Sequence, residues 1–361
     1  MKIVFDNIVF SLQRSGGISV VWYELLKRML ENKKFDLSFL EYNGATENIF
    51  RKKLEINSIS IDTFPVSIIR YLNPRVGQTN EPFIFHSSYY RTSSDTNAIN
   101  ITTVHDFIYE KFRSGIRKQI HCFQKRRAIE KSDYIICVSE NTKNDLLLMF
   151  PKINRGRVFV VHNGCSDNYN PDFLYSGLQS RFNKDQYLIY VGVRDEYKRF
   201  DLALETAAGL NLGLVIVGGG RLTTEEDKMV RSILPENQYQ VFQNISDKDL
   251  NSLYSNALCL IYPSMYEGFG IPIIEAQKAG CPVVAYNGGA MKEIIGDTPL
   301  LFDEFNAPEI SNLIKVHLFD SDSRDQIVRQ GLANSSKYTW DKTFEETIKI
   351  YNLISCSKQD K

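Results

Sequence analysis

The 361-residue sequence predicts an α/β protein made of two Rossmann-like domains. Three observations carry this. Apolar runs of strand length recur along the chain, helix-length amphipathic segments separate them, and the series is made twice with a polar stretch between. In the first half the runs are KIVFDN, DLSFLEY, FIFHSS, INITTVHD, YIICVSE and RVFVVHNG. In the second half they are YLIYVGV, LGLVIVGGG, YQVFQNI, ALCLIYPS and CPVVAY. Strands this rich in Val, Ile and Leu suit parallel sheets covered by helices on both faces. The stretch HNGCSDNYNPDFLYSGLQSRFNKDQ, residues 162–186, supplies turn formers at the seam. The expected divisions are 1–168, 169–338 and a terminal segment 339–361. In that segment Trp340, Phe344, Ile348 and Tyr351 fall at helical spacing, and the tail SCSKQDK reads as frayed.

Composition narrows the function. Forty-three basic residues balance forty-three acidic ones, so no global field points to nucleic acid, and an anionic ligand needs a local site. The six cysteines are widely spaced with no CxxC pair, which argues for reduced thiols and against a zinc site. The opening MKIVFDNIVF is too short an apolar run for a signal peptide and carries Asp6, and no apolar stretch reaches membrane-spanning length. A cytoplasmic location is the expectation.

In a doubly wound sheet, ligands bind at the turns that follow the strands. The first such turn holds Gly16-Gly17 before a helix with Ile18, Val21, Trp22, Leu25, Leu26 and Met29 on one face. Paired glycines let a ligand approach the backbone and its free N–H groups, although they also serve a plain tight turn. The second, SMYEGFGIPIIEAQKAG, brackets Gly268, Phe269, Gly270 and Ile271 between Glu267 and Glu275. Pro272 suits a first helical turn, and the N–H groups before it suit a phosphate or a sugar hydroxyl. Glu275, one turn into the helix, is placed to accept from a vicinal diol such as a ribose, or simply to complement the helix dipole.

The third turn, VGVRDEYKRFD, offers Arg194 and Lys198 to a diphosphate, or else leaves them solvated. The fourth ends a strand on His105 and Asp106, and His86 ends another. Each histidine fits a substrate contact or a core residue bonded to the backbone. In LVIVGGGR, Gly218 and Gly220 satisfy G-x-G, but Thr223 breaks the dinucleotide fingerprint and disfavours a dehydrogenase. The DSD at 320–322 reads as a solvated link, not a metal pair. Segment 111–131 holds eight Lys/Arg against one Glu130, a basic face for anionic headgroups or an ordinary solvated helix.

Four elements then stand in order: Gly16-Gly17, VHD at 104–106, YVGVRDEYKRFD at 190–201, and E-x7-E with Glu267 and Glu275. In this combination the chain resembles the retaining glycosyltransferases of the GT-B fold, family 4, which build bacterial polysaccharides such as O-antigen. CVSENTKNDL, NISDKDLNSLYSNA and KYTWDKTFEETIKIY extend the resemblance nearly end to end. It implies two Rossmann-like domains facing across a cleft, with the C-terminal helix crossing back to the first. It places Gly16 and Gly17 at the donor diphosphate, with Arg194 and Lys198 neutralising it. Glu275 would hold the nucleotide ribose, and Glu267 the donor sugar. Gly268, Phe269, Gly270 and Ile271 would contact sugar and phosphate through the backbone, and backbone near Gly218 and Ile245 would shape the base pocket. His105 would stand over the reaction centre, so His105, Glu267 and Lys198 are the implied catalytic set. One departure bears on Arg194: relatives place Lys directly after Arg or six residues behind it, and here the separation is four.

The resemblance also implies no metal and no cofactor beyond the nucleotide-sugar donor. The expected reaction moves a hexosyl unit to a glycan or lipid-linked glycan, with UDP-sugars favoured and GDP-mannose kept as the alternative. Peripheral contact with the inner face of the membrane through 111–131 goes with such an acceptor. Two rivals are a GT-B-like nucleotide-sugar epimerase or hydrolase and a non-catalytic sugar-nucleotide-binding protein.

Overall fold

Seven parallel strands form the sheet of the first unit: β1 (Lys2–Asp6), β2 (Asp36–Tyr42), β3 (Ile59–Asp62), β4 (Phe83–Ser87), β5 (Ala98–Val104), β6 (Tyr134–Cys137) and β7 (Val158–Val160). Their spatial order, β3-β2-β1-β4-β5-β6-β7, is doubly wound and reverses between β1 and β4. Six parallel strands form the second sheet: β8 (Tyr187–Val191), β9 (Gly213–Val217), β10 (Tyr239–Phe242), β11 (Cys259–Tyr262), β12 (Val283–Tyr286) and β13 (Leu301–Phe302). Here the order β10-β9-β8-β11-β12-β13 reverses between β8 and β11. The computed structural model describes residues 1–57, 59–74, 76, 81–171, 178 and 180–356. Part of the polar stretch 162–186 and the tail from 357 onward lie outside them.

The expected α/β architecture holds, with an edge strand added to each sheet. β3 reads ISID, alternating apolar with polar, and β13 has two residues, so neither carries the continuous apolar run of a strand buried on both faces. The inner strands do. Ile3, Val4, Phe5, Ile84, Phe85 and Ile101 are fully buried in one sheet, and Leu188, Ile189, Leu214, Val215, Ile216, Leu260 and Ile261 in the other.

The chain divides into one unit of Met1–Gly164 with Trp340–Lys361 and another of Cys165–Thr339. Helix Trp340–Cys356 packs on helix Gly17–Glu31, and its Ile350, Tyr351 and Ile354 enter the core around Ile3, Phe5 and Trp22. The Tyr351 hydroxyl lies 2.6 Å from Nδ1 of His86, on β4. All six thiols are free, and Cys137, Cys165, Cys259 and Cys281 are buried. In the DSD stretch, Asp320 caps helix Ser321–Ser335 by accepting from the Ser323 N–H, a structural role that its reading as a plain link had missed.

Candidate active site

In the second unit the turns after β8 and β11, the two strands flanking the reversal, are fastened together. The Met265 N–H donates to the Tyr197 carbonyl at 2.8 Å. Beside that bond, Lys198 Nζ lies 2.6 Å from Glu267 Oε1, with both side chains about nine-tenths buried. The Tyr262 hydroxyl, at the end of β11, hydrogen-bonds Glu267, and the Tyr262 ring lies 5.5 Å from the Lys198 ammonium. Lys198 and Glu267, expected to address phosphate and sugar separately, are thus partners in this structure.

Glu267 leads into Gly268 and the buried Phe269, whose ring meets Tyr338 edge-on at 5.8 Å. Gly270 has φ +95° and caps helix Ile271–Lys278, a left-handed conformation that disfavours any side chain there. Pro272 stands in the first turn. The helix is held in direction by Gln277, whose amide donates to the Ile295 carbonyl at 2.7 Å and accepts from Asn334 at 2.9 Å. Its first residue, Ile271, follows Glu267 by four positions, and the Ile273 N–H donates to the Gly270 carbonyl at 3.0 Å.

Glu275, one turn along, is half-buried, and hydroxyls of Tyr254 and Tyr169 hydrogen-bond it, Tyr254 at 3.5 Å. Burial first, and then the charge of Asp247, push its carboxyl up to about 7, against the pull of the two tyrosines. The folded chain thus holds a proton that the unfolded chain releases near 4.5, so this group's contribution to stability falls as pH rises from about 4.5 to about 7. A carboxylate accepting from both hydroxyls of a diol has to be ionised. Nucleotide affinity is therefore expected to rise as pH increases through about 7, and Glu275→Gln to flatten that rise. Titration calorimetry at pH values on either side of 7 reads both slopes, and equal slopes would remove Glu275 from the ribose.

Arg194 takes a different place from the expected one. Its Nη1 donates to the Gly218 carbonyl at 2.9 Å, and Nη2 lies 3.1 Å from the carbonyls of Gly219, Gly220 and Arg221. Glu226 stands 3.0 Å from Nε, and the Arg194 side chain is 1% exposed. The turn it fills consists of Gly218, Gly219 and Gly220 at φ +83°, +70° and +76°; a Cβ on Gly219 would fall 2.4 Å from Nη1 and 2.8 Å from the Gly192 carbonyl. Three successive left-handed residues turn their carbonyls inward, and the guanidinium fork satisfies them. In this structure Arg194 shapes the loop after β9. Ile245, expected at the base, follows Asn244 (φ +52°) and precedes Ser246, which caps helix Asp247–Asn256.

In the first unit Gly16 precedes helix Gly17–Glu31, and a Cβ on Gly17 would meet nothing within 4 Å, so its backbone is open to a ligand. The two histidines part company. His86 is a core residue: Nδ1 is on Tyr351, and Nε2 lies 2.9 Å from the Thr103 hydroxyl. His105 lines a pocket with Ile18, Trp22, His86 and Thr103. Burial, then the Lys125 charge, push it down to about 4, so it is neutral at physiological pH.

Residues 15–169 match the family described as Glycosyltransferase Family 4, and residues 179–333 match Glycosyl transferases group 1. The chain is a glycosyltransferase of the GT-B, family 4 type. The glycosyltransferase is 24% identical to the O-antigen chain mannosyltransferase B of Escherichia coli, over 98% of this chain and 100% of that protein. Its fold is similar to sucrose-phosphate synthase from Thermosynechococcus elongatus (TM-score 0.74, 15% identity, 99% and 100% of the two chains). It is also similar to Anabaena Alr3699/HepE in complex with UDP and glucose (TM-score 0.72, 14% identity, 98% and 99%). Sequence reasoning missed several partners of the glycosyltransferase's candidate site residues, among them Tyr262, Tyr254, Tyr169, Tyr338 and Glu226. Only Tyr262 carried a signal, standing last on a strand next to the reversal.

Proposed function

We propose that the protein transfers a hexosyl unit, with retention at the anomeric carbon, from a nucleotide-diphosphate sugar to a glycan or lipid-linked glycan of a surface polysaccharide. The observation that carries this is the Lys198–Glu267 pair beside the N-terminus of helix Ile271–Lys278. A cation at the start of a helix suits a diphosphate, and the adjoining carboxylate suits sugar hydroxyls. Lys198 then turns from Glu267 to the phosphate, and Glu267 to the sugar. Glu275 takes the ribose, the loop shaped by Arg194 borders the base, and neutral His105, in the first unit, serves as a hydrogen-bonding group for the acceptor.

In the reaction the bond from the anomeric carbon to the leaving phosphate oxygen breaks as the acceptor oxygen bonds to the same face. The departing phosphate takes the acceptor proton. Lys198 and the helix N-terminus stabilise the negative charge that develops there, in the place a divalent ion takes in metal-dependent transferases. The E. coli relative's name, an O-antigen chain mannosyltransferase, supports the polysaccharide setting and a mannosyl unit as one candidate, so GDP-mannose stays beside the UDP-sugars in the proposal.

A thermal-shift panel of UDP, GDP and their sugars tests the reading, since a ligand at one hundred times its Kd stabilises the fold by about 2.7 kcal/mol. One nucleotide and its sugar are expected to raise Tm together, and a panel with no response would overturn the proposal. Product analysis then separates transfer from its rivals: sugar on the acceptor supports transfer, whereas free or epimerised sugar formed without acceptor supports the epimerase or hydrolase.

A further inference from the structure

Helix Ile108–Phe112 follows the turn that carries His105 and Asp106, and it packs on helix Gly115–Lys131. Where the two meet, Glu110 of the short helix stands beside His121 and Cys122 of the long one. A carboxylate oxygen, a ring nitrogen and the thiol sulfur, one atom from each, lie within 4.8 Å of one another. All three residues belong to the first unit. The wide spacing of the cysteines argued against zinc, but this set needs a single thiol. Its other ligands come from the adjacent residue and from a neighbouring helix.

The surroundings prepare each ligand. His121 stacks on Tyr109 at 3.8 Å and meets Tyr90 edge-on at 5.5 Å, which holds its ring in one direction. Its buried Nδ1 has no hydrogen-bond partner among the described residues, a costly state for a polar atom. Burial, then the charges of Lys125 and Arg70, push the imidazole down to about 3, so it is neutral. Lys125 Nζ lies 2.8 Å from one Glu110 oxygen and donates to the Asp106 carbonyl at 2.9 Å. Glu110 is also hydrogen-bonded to the Cys122 thiol. A carboxylate steadied by an outer cation is the usual support of a metal ligand.

We propose that Glu110, His121 and Cys122 bind one zinc ion, with a water completing the tetrahedron. Sulfur, nitrogen and oxygen together suit this borderline-soft ion better than magnesium or calcium, which take oxygen. Tetrahedral zinc sets its ligand atoms about 3.5 Å apart, so side-chain rotations that move them by roughly 1 Å close the site. The Cys122 S–H bond breaks as the zinc–sulfur bond forms, and the proton goes to solvent. Thiolate and carboxylate then balance the two charges of the ion, which offsets the repulsion from Lys125 and Arg70. The ion fastens the short helix after His105 to helix Gly115–Lys131. It is a structural site, independent of the donor chemistry, and is measured without nucleotide.

The full chain, stripped with a chelator and kept reduced, provides the test with zinc or cobalt alone. One equivalent of cobalt is expected to give a thiolate-to-cobalt charge-transfer band that zinc displaces, and zinc is expected to raise Tm. Cys122→Ser should abolish the band while keeping the metal-free Tm of the parent, so that lost binding is not lost folding. His121→Gln and Glu110→Gln should each weaken zinc binding at least about tenfold in competition with a chromophoric chelator. Cys356→Ser, at the exposed thiol, should leave both ions bound as in the parent. Three results would overturn the inference: no uptake of either ion, a cobalt band that survives Cys122→Ser, or unchanged zinc affinity in His121→Gln.

Discussion

Lys198→Ala is expected to lower kcat/KM for the nucleotide sugar by about 100- to 1000-fold, the loss typical when one group stabilising a developing anion is removed. It combines two losses. The leaving diphosphate is left with helix N–H groups as its electrophilic support, and Glu267 keeps a hydrogen bond from Tyr262 but no counter-charge. Orphaning a mostly buried carboxylate also costs about 2 kcal/mol of stability. The double variant Lys198→Ala, Glu267→Gln should recover much of the Tm and none of the turnover, because neutralising the orphan repairs the fold and not the chemistry. Steady-state kinetics with calorimetric unfolding check both parts. Turnover within about threefold of the parent in Lys198→Ala would exclude the diphosphate assignment.

Arg194 gives the second large effect, of another kind. Arg194→Ala leaves the carbonyls of Gly218, Gly219, Gly220 and Arg221, and the carboxylate of Glu226, without their shared partner. A loss of about 2–4 kcal/mol of stability is expected, with KM for the donor rising more than kcat falls as the loop loosens. Arg194→Lys separates this role from a diphosphate contact. A lysine restores the charge but has no planar fork to reach several carbonyls at once. If Arg194 met the diphosphate, lysine would rescue much of the turnover. If it organises the glycine turn, lysine should behave like alanine in both Tm and KM.

The architecture was legible where strands are covered on both faces, because there the apolar run is continuous. It failed at β3 and β13, edge strands that are too short or too mixed in sequence to show a continuous apolar run. Within the site, residue types at fixed short spacing could be read: Glu267 and Glu275 around a glycine turn, and Lys198 after a strand. What could not be read was who meets whom. Lys198 and Glu267 lie 69 residues apart and meet because β8 and β11 are neighbours. Arg194 was read as a candidate for phosphate, and nothing in VGVRDEYK shows that its guanidinium meets the carbonyls of Gly218, Gly219, Gly220 and Arg221. His86 and His105 had the same local setting, a histidine ending a strand, and Tyr351, 265 residues from His86, distinguishes them.

The packing of helix Trp340–Cys356 into the first unit also sets an order of events during synthesis. The second unit, Cys165–Thr339, can close its core as soon as its own strands have emerged from the ribosome. The first unit, although made earlier, waits for Ile350, Tyr351 and Ile354 to fill the space around Ile3, Phe5 and Trp22. Until then the part of the core around Ile3, Phe5 and Trp22 lacks its last three members.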